Sequence, residues 1–127
     1  MRIFKSHGFA RFARKAALDD AALRVSISAA ERGLIDADLG GGVIKQRIAR
    51  PGAGKSGGFR TIIVFRARDR AVFVYGFGKN ERDNIRDDEL TEFKRLAALL
   101  LSYDDRQLRV AIEDGVLIEV SDDKTVS

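Results

Sequence analysis

The run FRTIIVFRARDRAVFVYGFG, residues 59–78, decides how the rest of the chain is arranged. Its two halves, FRTIIVFR (59–66) and AVFVYGFG (71–78), are β-branched and aromatic, the composition of strands. The polar connection RARDR (66–70) is short, so the spacing predicts an antiparallel hairpin. Both halves are apolar on both alternating faces, which places the hairpin at the centre of a sheet covered by helices. Upstream, VIKQRIAR (43–50) reads as a further strand, with Lys45 and Arg47 on one face of it.

Outward from this centre the period changes to that of helices. RIF (2–4) reads as a short strand, and Ser6 as the cap of a helix reaching about Lys15, with Phe9, Phe12, Ala13 and Ala16 at helical spacing. Asp19 and Asp20 open a second helix to about Gly33, whose apolar face is Leu23, Ile27, Ala30 and Leu34. DADLGGG (36–42) reads as a loop. Asp87-Asp88-Glu89 opens a third helix with Leu90, Phe93, Ala97 and Leu100 as its stripe. SYDDRQLRVAIEDG (102–115) reads as a fourth, capped by Ser102 or Asp104 and stopped by Gly115. VLIEV (116–120) is a candidate closing strand. The order β-α-α-β-β-β-α-α predicts an α+β domain: a small, mostly antiparallel sheet packed against an N-terminal helix pair and C-terminal helices. Residues 1–127 read as one domain, with 87–127 as an acidic helical extension of it.

Composition excludes several chemistries. The chain has 127 residues, no cysteine and one histidine, His7, so cysteine-ligated metal and histidine clusters are excluded and no metal or other cofactor is expected. His7 itself reads as structural or surface. No run approaches the ~18 apolar residues of a membrane span, and MRIFKSHGFARF lacks a signal-peptide core, so the expected location is cytoplasmic. Residues 1–86 carry 18 Lys/Arg against 8 Asp/Glu, a balance of +10, while residues 87–127 carry 5 against 11, a balance of −6. Residues 43–70 hold eight basic residues against Asp69 alone. Such a face either meets a polyanion or merely solvates the protein. Gly54-Lys55-Ser56 invites comparison with a P-loop, but Ala49 stands where the first glycine is required. The chain also continues into a strand rather than a helix.

Two motifs carry a family resemblance: Gly58-Phe59-Arg60 leading into the central strand, and Gly78-Lys79-Asn80-Glu81-Arg82 after the next. With KSGGFRTIIVF (55–65), YGFGKNERDNI (75–85) and the element order, the chain resembles the RelE/HigB-type toxins of bacterial type II toxin–antitoxin pairs. That resemblance implies a RelE/ParE-like fold and a ribosome-dependent endoribonuclease that cleaves messenger RNA in the ribosomal A site. Its partners would be the ribosome, messenger RNA and a cognate antitoxin, acidic and DNA-binding. The reaction it implies needs no metal. The 2′-OH attacks the adjacent phosphorus, giving a 2′,3′-cyclic phosphate, and the site must accept a proton, stabilise the phosphorane and assist the leaving oxygen.

Residue matching gives Arg60 the scissile phosphate. It gives Lys45 the general-base role and Arg47 a phosphate-binding one. A lysine starts near ~10.4, so a basic role needs neighbouring cations to lower it. Lys79 is matched to phosphate binding or to the general acid. Asn80 stands where several relatives carry a catalytic arginine and Arg86 where some carry a tyrosine, so Arg82 and Arg86 are the residues able to replace the lost charge. Arg50, Lys55, Arg66 and Arg68 are read as RNA phosphate contacts, and Tyr75 as a core residue. The competing readings are a ParE-like gyrase poison of the same fold and an inert nucleic-acid or protein-binding module. Paired basic residues on facing strands favour RNA cleavage over the gyrase reading.

Overall fold

The computed structural model describes residues 1–50 and 58–121. Lys55, and Gly57 of the double glycine before the central strand, lie outside the described residues. The elements are β1 (Arg2–Ser6), α1 (His7–Lys15), α2 (Asp20–Glu31), β2 (Ala37–Gly40), β3 (Val43–Ile48), β4 (Phe59–Arg66), β5 (Arg70–Gly78), α3 (Asp87–Ser102), α4 (Asp105–Glu113) and β6 (Leu117–Glu119). The strands form one sheet in the order β2-β3-β4-β5-β1-β6. Only β1 and β5 run parallel among the described pairs, so the mostly antiparallel α+β fold expected from sequence is the one that forms.

The sheet is a middle layer with a separate core on each face. On one side α1 and α2 lay Phe9, Ala13, Leu23 and Ile27 over Ile44, Phe59, Ile63 and Phe73. On the other, α3 and α4 lay Ala97, Leu100, Leu108 and Ala111 over Val43, Ile62, Val64 and Val72. The β4–β5 hairpin supplies both cores, which is why its sequence is apolar on both faces. The acidic C-terminal part thus covers one face of the sheet, and β6 extends it by pairing with β1.

Helix ends follow local chemistry. Ser6, Asp19 and Asp104 cap α1, α2 and α4 by accepting the backbone N–H of Phe9, Ala22 and Gln107. Gly33 (φ 81°) and Gly115 (φ 75°) end α2 and α4 in the left-handed conformation. At both ends paired hydrogen bonds close the turn, Gly33 N–H to Ala30 O and Leu34 N–H to Ala29 O at the first. That turn throws Leu34 into solvent, 61% exposed, so it is not part of the α2 apolar face as expected. The second correction is β2, which occupies part of the segment read as a loop. It is four residues long, Ala-Asp-Leu-Gly, with no β-branched or aromatic residue, so it lacks the composition of a strand. Tertiary pairing with β3 creates it.

One irregularity in the central hairpin governs the site. Ile62 pairs with Tyr75 but Ile63 pairs with Phe73, so Val74 is an extra residue on β5. The bulge breaks the alternation of β5. Phe73 faces the α1/α2 core, whereas Val74 and Tyr75 both pack with the α3/α4 core.

Candidate active site

Cross-strand partners share a sheet face, so the registers fix which side chains meet. Arg47 pairs with Arg60 and Arg60 with Phe77, forming one row across β3, β4 and β5. The adjacent row is Ala37, Lys45, Ile62 and Tyr75. Ile62 belongs to the core beneath α3, so both rows lie on the α3 face of the sheet.

Asp36 stands immediately before β2, beside a cation of each row. Its Oδ2 lies 3.4 Å from Arg60 Nε and 3.9 Å from Lys45 Nζ. Lys45 and Arg60 are largely shielded, their side chains 16% and 12% exposed, against 31% for Asp36. The Asp36 backbone is held from two directions, its N–H donating to Lys45 O at 3.1 Å and to Gln46 Oε1 at 3.2 Å. Gln46 is itself buried and donates from Nε2 to the Ser26 and Leu34 carbonyls, while Thr61 Oγ1 donates to the Gln46 carbonyl.

Across the hairpin, Arg82 forms a second charged group. It donates to the Tyr75 hydroxyl at 3.0 Å, to both Glu89 oxygens at 2.6 and 3.2 Å, and to the Asn84 carbonyl. Its guanidinium also lies over the Tyr75 and Phe77 rings. The Arg82 hydrogen bonds and the Arg86 N–H hold the Glu89 carboxyl down at about 2, and the Glu89 bond raises Arg82 well above the usual arginine value. The Tyr75 ring packs on Phe77 and Phe93. It is therefore a core ring with its hydroxyl in the site, which the bulge at Val74 makes possible.

The other residues singled out from sequence separate into groups. Arg50 lies over the Phe59 ring and lines, with Lys15, Phe12, Tyr75, Phe77 and Arg82, a cleft of about 400 Å³ at this end of the sheet. Lys79 is exposed just past β5, its N–H donating to Gly58 O. Arg86 is exposed and pairs outward with Asp88. Arg66 and Arg68 lie at the opposite end of β4, some six residues or roughly 20 Å from Arg60. There Arg66 donates to Asp69 and to Leu101 O, and the Arg68 N–H donates to Glu31. The structure thus brings Lys45, Arg47, Arg60 and Arg82 to one face, with Arg50 and Lys79 at the rim. It does not bring Arg66 and Arg68 there. Sequence reading left two groups out of this face, Asp36 and the Tyr75 hydroxyl, because long-range pairing alone places them.

No helix among the described residues is long and apolar enough to cross a membrane. A search of curated proteins found no match. Residues 1–120, through α4 and β6, match a family model described as the RelE toxin of the RelE / RelB toxin-antitoxin system, and the chain belongs to that family.

Proposed function

We propose that this toxin is an endoribonuclease that cuts messenger RNA in the ribosomal A site and so stops translation. The observation that carries the reading is the Arg47–Arg60 cross-strand pair beside Lys45 on one sheet face. Two guanidiniums on neighbouring strands suit the oxygens of one phosphate, and Arg60 is shielded enough for its charge to act at reduced dielectric. The 2′-OH attacks the adjacent phosphorus, the 5′-oxygen leaves, and the products are a 2′,3′-cyclic phosphate and a 5′-OH. Arg60 and Arg47 stabilise the charge added to the phosphorane. Lys45 adds a third positive group, Lys79 contacts phosphate from the rim, and the aromatic, cationic cleft beside Arg50 and Arg82 suits an unpaired nucleotide. A RelB-type antitoxin, acidic in the segment that binds, silences the toxin by covering this face.

Primer extension on messenger RNA from a translating extract tests the reading, with wild-type protein beside Arg60→Ala. The expected result is ribosome-dependent cuts in register with the reading frame that disappear in the variant. Intact messenger under wild-type protein overturns it and directs attention to gyrase, which a DNA-supercoiling assay then examines. For the antitoxin, protection of the Lys45 amine from acylation in the purified complex is expected. Full reactivity there excludes occlusion.

A further inference from the structure

Within the proposed RNA-cleaving site, we infer that Asp36 is the catalytic proton acceptor, the group that takes the 2′-OH proton. Sequence reading assigns that part to Lys45. A lysine ammonium must shed a proton before accepting one, and here it faces a carboxylate at 3.9 Å, the arrangement of an ion pair. Its role is then to bind phosphate. A carboxylate, ionised at neutral pH, is an acceptor without prior proton loss.

The geometry fits that division. Asp36 Oδ2 is turned to Arg60 and Lys45, two of the three cations that would grip the scissile phosphate. No donor among the described residues bonds Oδ1, and the side chain retains access to solvent. A phosphate held by Arg60 therefore brings its neighbouring ribose alongside a carboxylate oxygen that is open. The placement is built: the backbone at Asp36 is fixed by Lys45 O and by Gln46, which is anchored in turn to Ser26 and Leu34. Among the described residues the charged groups facing Asp36 are Lys45 from β3 and Arg60 from β4, with Arg47 paired beside Arg60.

In the step, the 2′-O–H bond breaks and its proton forms an O–H bond to the Asp36 carboxylate. The 2′-oxygen bonds to phosphorus, the P–O5′ bond breaks, and the 5′-oxygen keeps that electron pair and takes a proton from water. Asp36 returns its proton to solvent after product leaves. Nothing is oxidised or reduced.

The test is single-turnover cleavage of messenger RNA on programmed ribosomes at saturating toxin, with affinity for the same complex measured separately. Asp36→Asn keeps the shape and removes the acceptor. The expected result is a rate at least ~100-fold lower with affinity unchanged or tighter, and partial recovery in Asp36→Glu. A substrate carrying sulfur at the bridging 5′ position, whose thiolate leaves without a proton, is expected to leave the defect in place. Rescue by that substrate would make Asp36 the acid and overturn the assignment. So would an unchanged rate, or a parallel loss of rate and affinity, which marks a residue that only positions Arg60 and Lys45. Wild-type protein that cuts nothing defeats the RNA-cleaving reading itself, an outcome distinct from wild-type cleavage matched by Asp36→Asn.

Discussion

The two ends of the β4–β5 hairpin carry the same residue type in opposite circumstances. At the turn, Arg70 is 8% exposed and donates to the Leu100 and Tyr103 carbonyls and to Asp69. Arg66 beside it donates to Leu101 O and Asp69. These guanidiniums satisfy the orphan carbonyls that end α3 and face the negative end of its dipole. At the other end, Arg60 is also shielded, yet its ion-pair partner among the described residues is one aspartate at 3.4 Å, and Arg47 beside it is exposed. An arginine surrounded by carbonyls holds the fold together. An arginine opposite another arginine, whose ion-pair carboxylate among the described residues is shared with a lysine, has the arrangement that suits an incoming anion. Counting basic residues cannot separate the two; their partners do.

The sharpest way to break this contrast is to remove one arginine from each end. Arg60→Ala is expected to lower single-turnover cleavage by at least ~100-fold while thermal melting shifts by only a few degrees. Arg70→Ala is expected to do the reverse. It strands the Leu100 and Tyr103 carbonyls at the end of α3, costs about 3 kcal/mol and lowers Tm by about 10 °C, with cleavage per folded molecule retained at low temperature. Calorimetry beside the cleavage assay reads both, and a stable but inactive Arg70→Ala would erase the distinction.

Smaller effects sharpen it. Arg47→Ala is expected to reduce the slope of log affinity against log salt for messenger-loaded ribosomes by about 1. Arg66→Ala is expected to leave that slope alone and cost about 1 kcal/mol of stability. A changed slope in Arg66→Ala would extend the RNA surface to the turn. The smallest effect is a pH dependence. The Glu89 carboxyl titrates near 2 in the folded chain against an ordinary 4.5. The stability it contributes is therefore complete above the higher value and disappears as pH falls through the lower one. Urea melts are expected to show a gap between wild type and Glu89→Gln that is constant near neutrality and closes toward pH 2.

What sequence made legible was local. Ser6, Asp19 and Gly115 announce helix ends because capping is settled within a few residues. The doubly apolar hairpin announces a buried sheet. Lys45, Arg47 and Arg60 were readable as candidates because strand alternation and the Gly-Phe-Arg motif are also short-range. What stayed hidden depends on partners distant in sequence. Strict alternation from Phe73 puts Tyr75 in the α1/α2 core, and the extra residue at Val74 turns it to the other face to meet Arg82. Asp36 lies in a polar segment with no strand signal and gains its place from β3 and Gln46. Arg66 and Arg60 look alike in sequence because nothing in the hairpin reveals that α3 ends over the turn.

The position of β1 has a kinetic consequence. The first strand in the chain is fifth in the sheet, its register set by Arg2 opposite Arg70 and Phe4 opposite Glu119. Closing the sheet therefore requires loops that span more than half of the chain, and their entropy is lost before the pairings that repay it exist. The helix ends and the β4–β5 hairpin rest on near neighbours, whereas β1 is expected to dock late. Refolding is accordingly expected to be limited by docking of the N-terminal strand, on the millisecond-to-second scale of topologies rich in distant contacts.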